Sequence, residues 1–197
     1  MKKNKILITG SEGYIGSVLM PMLIDNGYDV VGLDACYYSE GNLNEYVFPH
    51  YNLINKDIRD IEEKDLKGKG YSAIVHLAAL SNDPLGTLNE QLTYDINYKA
   101  SAKLAIVAKK VGIRRFIFAS SLYANAEEGS FYGPSKQAAE RYIEKFYKNF
   151  GLNYTILRFG SLYGSRSDNS NGIISLINNA VNNKKIVYGG SKRAERK

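Results

Sequence analysis

Tyr132 and Lys136 lie four residues apart in a segment whose residue types could do proton-transfer chemistry. On a helix this spacing places both side chains on one face, one turn apart. A tyrosine with the ordinary pKa of about 10 is a poor base at neutral pH, and lowering that pKa to about 7 requires about 4 kcal/mol of preferential stabilisation of the phenolate. An adjacent ammonium group supplies part of this stabilisation, so the pair could accept a proton from a hydroxyl group.

The spacing alone does not identify this pair, because Tyr188 and Lys192 have the same spacing. The context differs between the two pairs. Tyr132 begins the helix that follows the fifth predicted strand, whereas Tyr188 lies near the C-terminal end of the given sequence. In open parallel sheets, ligands bind at the carboxyl ends of the strands. The chemistry is therefore assigned to Tyr132 and Lys136.

A glycine-rich segment, residues 9–16, follows the first predicted strand and opens the first predicted helix. Gly10 allows a tight turn, Gly13 lets the backbone approach a pyrophosphate, and Gly16 permits close packing of the helix on the strand. The N-terminus of the helix then offers unpaired N–H groups to phosphates. The alternative interpretation is a glycine-rich turn beside a surface aspartate. The position of the segment in the chain favours a dinucleotide loop.

Asp34 stands at the end of the second predicted strand, 21 residues after Gly13. A carboxylate at this position accepts hydrogen bonds from the hydroxyl groups of the adenosine ribose. It would also repel a 2′-phosphate, and no Arg or Lys lies between Gly32 and Lys56 to bind one. The sequence therefore predicts NAD as the cofactor in preference to NADP.

The elements that must position these residues alternate along the whole chain. Apolar runs predict strands at Lys5–Thr9, Asp29–Leu33, Tyr51–Asn55, Ala73–Leu77, Arg115–Ala119 and Tyr154–Arg158, with a short further candidate at Ile186–Tyr188. Helical patterns lie between them at about 14–26, 60–67, 89–111, 132–150 and 172–183. This alternation indicates an α/β protein with a doubly wound parallel sheet, the Rossmann fold. We expect one NAD-binding domain over residues 1–190, followed by a basic tail at 191–197.

Several motifs narrow the interpretation to one family. The Gly-x-x-Gly-x-x-Gly spacing resembles the short-chain dehydrogenase/reductase superfamily. Further matches resemble its extended branch, which includes the nucleotide-sugar epimerases and dehydratases. They are Asp57-Ile58 after the third strand, His76-Leu77-Ala78-Ala79 at the fourth, Asn97, the Tyr132/Lys136 pair, and Arg158-Phe159-Gly160-Ser161-Leu162-Tyr163-Gly164 after the sixth. The resemblance covers essentially the whole chain.

The resemblance implies a set of site residues. Tyr132 and Lys136 are the implied catalytic pair, and Ser121 takes the place of the hydroxyl that polarises the substrate oxygen, with Ser120 as the alternative. Asp57 and Ile58 would contact the adenine, and the backbone of residues 77–79 would lie along the cofactor. The full set of expected cofactor-binding residues is Gly10, Gly13, Tyr14, Ile15, Gly16, Asp34, Asp57, Ile58, Leu77, Ala78, Ala79, Asn97, Tyr132 and Lys136.

The sequence also departs from the family pattern. Only ten residues separate Ser121 from Tyr132, where most members have a longer substrate-contacting loop. The Asp-Glu pair with which dehydratases of this family eliminate water is absent from that segment. Members of the family carry a smaller C-terminal lobe that supplies much of the nucleotide-sugar site. No counterpart of that lobe is present, and residues 191–197 are interpreted as the start of a truncated segment.

Together these features predict an NAD-dependent nucleotide-sugar epimerase, or its cofactor-binding domain. The alternatives are a nucleotide-sugar reductase or dehydratase of the same family, and an NAD-binding module without turnover. A homodimer is expected through the helices at 89–111 and 132–150. These helices carry more apolar positions than one face of a sheet can cover, namely Leu92, Ile96, Leu104, Val107, Tyr142, Ile143, Phe146 and Tyr147.

Composition excludes several other classes. The net charge of +6 is concentrated at the two ends of the chain, so nucleic-acid binding on the folded body is not expected. No apolar run approaches the ~18 residues of a membrane helix, and the N-terminal residues lack a secretory signal, which predicts a cytoplasmic protein. The single cysteine, Cys36, and the absence of a ligand cluster around His50 or His76 predict no metal site.

Overall fold

The alternating apolar runs form a six-stranded sheet in the computed structural model, which describes residues 4–37, 51–81, 89–126, 131–164, 167 and 171–186. The chain divides into two compact units, residues 1–158 and 159–197. Within the described residues, the strands are β1 (Lys5–Thr9), β2 (Asp29–Asp34), β3 (Asn52–Asn55), β4 (Tyr71–His76), β5 (Arg115–Ser121) and β6 (Tyr154–Phe159).

The strand order across the sheet is β3-β2-β1-β4-β5-β6. The strands from β3 to β5 pair in parallel, with β1 and β4 side by side at the centre, where Thr9 aligns with His76. In this order the chain reverses direction across the sheet between β1 and β4. Such a reversal leaves a crevice at the carboxyl ends of the central strands, where dinucleotides bind. The predicted doubly wound fold is confirmed.

The described helices follow these strands along the chain, and the last of them comes after β6. They are α1 (Gly16–Asp25), α2 (Glu63–Leu66), α3 (Glu90–Thr93), α4 (Ser101–Lys110), α5 (Tyr132–Phe150) and α6 (Gly172–Asn183). A π-helical segment, Tyr94–Ala100, joins α3 to α4, and 3₁₀ turns occur at Ile58–Asp60 and Leu122–Asn125. None of the described helices is long and apolar enough to cross a membrane.

Two apolar clusters show that helices cover both faces of the sheet. Successive side chains of a strand point to opposite faces. Ile6 and Ile8 of β1 accordingly pack with Met20 of α1 on one face. Leu7, between them, belongs to the larger cluster on the other face, which includes Leu104 of α4. Burial on both faces explains why the strands read as continuous apolar runs instead of alternating ones.

Two predicted helices differ from the structure. The predicted helix at 89–111 is α3, the π-helical segment and α4 in succession, and the predicted helix at 60–67 is a 3₁₀ turn at 58–60 followed by the single turn of α2. The strand candidate at 186–188 cannot be assessed, because residues 187 and 188 lie outside the described residues. Tyr188, Lys192, His50 and the tail at 191–197 lie outside them as well.

Candidate active site

The glycine loop connects β1 to α1 and is held by backbone contacts. Gly10 has a φ of +74°, in the left-handed region that glycine adopts without strain. Its N–H donates to the carbonyl of Leu33 on β2 at 2.8 Å. A Cβ on Gly10 would lie 2.6 Å from the backbone nitrogen of Ala78, and a Cβ on Gly16 would overlap the carbonyl oxygens of Gly10 and Ser11. Both positions therefore require glycine, as predicted.

The loop has features that fit a dinucleotide pyrophosphate. The helix α1 begins at Gly16, and the N–H groups of its first turn point back toward the loop, with the positive end of the helix dipole. The hydroxyl of Ser11 is buried and has no hydrogen-bond partner among the described residues. That hydroxyl lies against Gly32 of β2. Gly10 and Gly16, which have no room for a Cβ, and the start of α1 therefore fit the phosphate groups of a dinucleotide.

Asp34 lies at the carboxyl end of β2 and is oriented by two backbone donors. Its Oδ2 accepts a hydrogen bond from the N–H of Glu12 at 3.0 Å, and its Oδ1 accepts one from the N–H of Cys36 at 2.8 Å. The first of these bonds ties the carboxylate to the glycine loop. Burial and the charge of Asp34 raise the pKa of the Glu12 carboxyl group. The structure thus places an acidic group beside the loop, as the sequence predicts.

Asp57 and Ile58 follow β3 and play different structural parts. The carboxylate of Asp57 accepts hydrogen bonds from the guanidinium of Arg59 at 2.6 and 3.0 Å and from the hydroxyl of Tyr37 at 2.7 Å. The hydrogen bonds from Arg59 are the main reason that the pKa of Asp57 falls to about 2. The side chain of Ile58 is buried in the core. Their contact with adenine stays a prediction.

Residues 77–79 leave the end of β4 beside the glycine loop. The N–H of Leu77 donates to the carbonyl of Thr9 at 2.9 Å, and the N–H of Ala78 lies 3.4 Å from the Thr9 hydroxyl. Leu77, Ala78 and Ala79 are all half-buried. The structure therefore brings two separate predicted motifs, the loop and the fourth-strand segment, to one edge of the sheet.

His76 links this edge to the helices behind it. It is fully buried, its Nδ1 lies 2.6 Å from the Thr9 hydroxyl, and its Nε2 lies 2.8 Å from the Ser101 hydroxyl. Ser101 donates its own proton to the carbonyl of Asn97, so it accepts from Nε2–H, and Nδ1 accepts from Thr9. Burial, with a smaller contribution from the charge of Lys136, lowers the pKa of His76 to about 3. His76 is therefore a neutral structural bridge at neutral pH.

Asn97 lies on the π-helical segment and joins three parts of the site. Its Oδ1 accepts from the N–H of Leu80 at 2.9 Å, and its Nδ2 donates to the carbonyl of Leu80 and to the hydroxyl of Ser135, each at 3.1 Å. Ser135 in turn donates to the carbonyl of Tyr132 at 2.7 Å. π-Helical turns inside helices are often found at functional sites. Asn97 thus holds the segment after β4 against the start of α5.

Tyr132 and Lys136 occupy the first two turns of α5, where both are buried. The Nζ of Lys136 donates to the carbonyl of Ala119 at 2.9 Å and lies 6.0 Å from the centre of the Tyr132 ring. Burial lowers the pKa of Lys136 to about 7, and the negative charge of Glu140 partly opposes this effect. An ammonium group next to the phenol favours the phenolate, which is the arrangement that the spacing predicts.

Ser121 ends β5 and begins the 3₁₀ turn at 122–125. Its Oγ accepts a hydrogen bond from the N–H of Tyr123 at 3.2 Å, so the hydroxyl proton remains able to donate. The neighbouring hydroxyl of Ser120 is buried without a partner among the described residues. A Cβ on Gly133 would lie 2.5 Å from the carbonyl oxygen of Tyr123, so the first turn of α5 packs closely on this 3₁₀ turn.

The structure therefore brings the predicted Ser121, Tyr132 and Lys136 to the junction of β5 and α5. Sequence analysis missed the polar partners behind them. Thr9 and Ser101, which hold His76, carry no motif of their own. Glu140, which is buried, forms an ion pair with the partly exposed Arg158, and the only sequence signal for Glu140 is its position four residues after Lys136.

The strand order, the glycine loop at the switch point and the acidic residue at the end of β2 define a Rossmann-type dinucleotide-binding protein. The model of the NAD dependent epimerase/dehydratase family matches residues 6–197, and the chain belongs to that family. The family is one of NAD-dependent enzymes, which confirms the predicted cofactor and family resemblance. The UDP-glucose 4-epimerase of Corynebacterium glutamicum is 28% identical over 82% of this chain and 52% of its own length.

Solved structures agree with this assignment. A UDP-N-acetylglucosamine 4-epimerase from Methanobrevibacter ruminantium, in complex with UDP-N-acetylmuramic acid, has a TM-score of 0.81 and 29% identity, and the alignment covers 96% of this chain and 67% of that one. A UDP-glucose 4-epimerase from Thermotoga maritima, solved with UDP-glucose, has a TM-score of 0.77 and 28% identity. The alignment covers 89% of this chain and 62% of that one. The chain spans about half to two thirds of the length of the curated relatives it matches.

Proposed function

We propose that this chain forms the cofactor-binding and catalytic part of an NAD-dependent nucleotide-sugar epimerase. The observation that carries the proposal is the burial of Lys136 one turn after Tyr132, with its Nζ bonded to the end of β5 two residues before Ser121. This arrangement can accept the proton of a sugar hydroxyl while its carbon is oxidised. The relatives and structural neighbours named above are UDP-sugar epimerases, which supports the same reaction class.

Each catalytic residue has a distinct part in the proposed mechanism. Tyr132 removes the proton from the reacting hydroxyl and returns it when the new configuration forms. Ser121 donates a hydrogen bond to the reacting oxygen through the proton that its contact with Tyr123 leaves available. Lys136 stabilises the phenolate of Tyr132 and holds the nicotinamide ribose. When bound at this site, NAD would supply the reversible hydride transfer by which the sugar carbon is oxidised and then reduced on its opposite face.

The cofactor contacts are proposed from the glycine loop and the strand ends. The loop and the start of α1 bind the pyrophosphate. Asp34 accepts the ribose hydroxyls and repels a 2′-phosphate. Asp57, with Ile58, borders the adenine, and the segment after β4 lies along the nicotinamide half. Residues 1–190 are proposed as the cofactor-binding domain, with a basic tail at 191–197.

The proposed substrate is a nucleotide sugar. Two other functions are compatible with the same site residues. A reductase or dehydratase of this family would use the same Tyr132 and Lys136, and a binding module would hold NAD without turnover. The absence of the Asp-Glu pair between Ser121 and Tyr132 favours the epimerase over the dehydratase.

Product analysis distinguishes these functions. The protein, extended to the length of its relatives, is incubated with UDP-glucose and UDP-N-acetylglucosamine, and the products are separated by chromatography. An epimerase gives the 4-epimer without net consumption of NAD. A reductase consumes NADH, and a dehydratase eliminates water from the sugar and forms a stable keto-sugar. Tyr132→Phe is expected to lower the rate by about 10²–10⁴ while leaving NAD affinity nearly unchanged. An unchanged rate in this variant would exclude Tyr132 as the base.

A homodimer is also proposed, with a revised contact surface. Ile96, Leu104, Val107 and Ile143 are buried in the core of their own chain and are not available to a partner. A row of half-buried or exposed aromatic side chains, called here the aromatic ladder, lies along the π-helical segment and α5. Its successive ring centres lie 4.6–6.3 Å apart, and its members are Tyr94, Tyr98, Tyr142, Phe146 and Phe150. Aromatic residues are enriched in protein interfaces, so this ladder is the proposed contact between the two copies.

A further inference from the structure

Glu140 is a buried carboxylate to which the proposed mechanism gives no part. It lies on α5, four residues after Lys136, so the two side chains share one face of the helix, one turn apart. Glu140 is only 2% exposed to solvent, and Lys136 is only 3% exposed. Burying a charged group is costly unless another charge compensates it. The buried carboxylate therefore favours the charged form of the Lys136 side chain.

Arg158 on β6 binds Glu140 from the other side. Its Nε donates to Oε1 at 2.9 Å and its Nη2 donates to Oε2 at 2.6 Å, which is the bidentate geometry of a strong ion pair. Lys136 instead donates to the carbonyl of Ala119. Within the described residues, Lys136 and Glu140 make no direct hydrogen bond, so Glu140 acts on the ammonium group through space.

The three side chains carry alternating charges: the Lys136 ammonium, the Glu140 carboxylate one turn later on α5, and the Arg158 guanidinium bound to that carboxylate. Glu140 favours the charged form of Lys136, whereas Arg158 neutralises part of the negative charge of Glu140 and weakens that effect. We propose that Glu140 is a positioning residue that keeps Lys136 in its ammonium form, and that Arg158 sets how strongly it does so. The proposal rests on the proposed function only in one respect, namely that the Lys136 ammonium group takes part in catalysis.

The other groups around Lys136 do not replace Glu140. His76 on β4 is held neutral by its burial, with a pKa of about 3, and gives no negative charge. Glu144, the next acidic residue along α5, acts on Arg158. Burial lowers the pKa of Lys136 to about 7, so its charge near neutral pH is sensitive to one neighbouring carboxylate. Glu140 is the negative group that raises this pKa.

The test measures the titration of Lys136 directly. The 197-residue chain is produced with ¹³C-labelled lysine, and the Cε resonance of Lys136, assigned by its loss in Lys136→Met, is followed from pH 5 to pH 11. In Glu140→Gln the midpoint is expected to fall by at least about half a pH unit, because the negative charge is removed and Arg158 remains. In Arg158→Gln it is expected to rise by a similar amount, because Glu140 is no longer neutralised.

The opposite signs separate this proposal from a purely structural role. Both substitutions break the same ion pair between α5 and β6, so a structural tether would move the Lys136 midpoint in the same direction in both variants. Arg158→Lys keeps the positive charge and should restore the wild-type midpoint. Equal directions of shift, or no shift, would overturn the proposal. If Glu140→Gln does not fold, Arg158→Gln, at a partly exposed residue, tests the proposal by itself. A Lys136 midpoint that does not rise in this variant would then overturn the proposal. None of these measurements requires turnover, so they remain decisive if the epimerase assignment fails.

Discussion

The side-chain amide of Asn97 donates a hydrogen bond to the hydroxyl of Ser135, 3.1 Å away, and so joins the π-helical segment to the first turn of α5. The same amide binds both backbone groups of Leu80, just after β4. One buried side chain therefore holds together the segment that would lie along the cofactor and the helix that carries Tyr132. Its loss should affect the geometry of the whole site.

Asn97→Ala is expected to lower the free energy of unfolding by about 2–4 kcal/mol, because it removes three hydrogen bonds, two of them to the backbone of the half-buried Leu80 and one to Ser135. Urea denaturation followed by circular dichroism measures this loss. Asn26→Ala is the matched control, because Asn26 is exposed and makes a single side-chain bond to the carbonyl of Met22. The control should lose less than about 1 kcal/mol. Equal losses in the two variants would contradict the bridging role of Asn97.

The strands and the long helices could be predicted from periodicity because they depend on local pattern and burial. The predicted helices at 132–150 and 172–183 have the observed bounds, and the strand ends differ by no more than two residues. The π-helical segment could not be predicted in this way. It inserts a wider turn where Asn97 meets Leu80 and Ser135, which are distant in the sequence.

The candidate site was predictable where its chemistry depends on short motifs. The glycine loop, Asp34 and the Tyr132/Lys136 pair belong to such motifs, and the structure places them at one edge of the sheet or next to it. The bonds of His76 to Thr9 and Ser101 were not predictable, because they join β4, β1 and α4 across 67 and 25 residues of sequence. The pair of Glu140 and Arg158 likewise depends on the packing of α5 against β6.

Asp34 should determine the choice between the two dinucleotides. The protein is expected to bind NADH at least tenfold more tightly than NADPH, a difference of about 1.4 kcal/mol. Asp34→Asn keeps an oxygen that can accept from one of the two backbone donors but removes the charge, so the preference should decrease. Fluorescence titration with NADH and NADPH measures both affinities, and Asp25→Asn, an exposed acid at the end of α1, serves as control. Equal or tighter binding of NADPH to the wild-type protein would refute the role of Asp34.

His76 should make the stability of the protein depend on pH on the acid side. Its pKa is about 3 in the folded protein and near 6.5 in the unfolded chain, so between these values the unfolded chain binds a proton that the folded protein does not. The free energy of unfolding should therefore rise with pH through this window, by about 2 kcal/mol from pH 4.5 to 6.5. Urea denaturation at several pH values measures this rise.

The variant His76→Asn lacks this titrating group. Its free energy of unfolding should therefore increase from pH 4.5 to 6.5 by about 2 kcal/mol less than that of the wild type does. Ser101→Ala is the matched control, because it loses a hydrogen bond to His76 but keeps the histidine. It should be less stable than the wild type at every pH and retain the same pH dependence. A wild-type pH dependence in His76→Asn would assign the acid sensitivity to other groups.

The aromatic ladder on α5 should mediate dimerisation. Phe150 ends α5, is 55% exposed, and its ring centre lies 4.6 Å from that of Phe146. Phe150→Lys places a positive charge on the proposed contact surface, at a helix C-terminus where it does not oppose the helix dipole. Sedimentation velocity should show the wild-type chain as a dimer and this variant as a monomer. Met22→Lys, at a 57% exposed apolar position on α1, should remain dimeric. A wild-type chain that stays monomeric at tens of micromolar would refute the proposed contact. A dimer that dissociates in Met22→Lys but not in Phe150→Lys would place the contact on α1 instead.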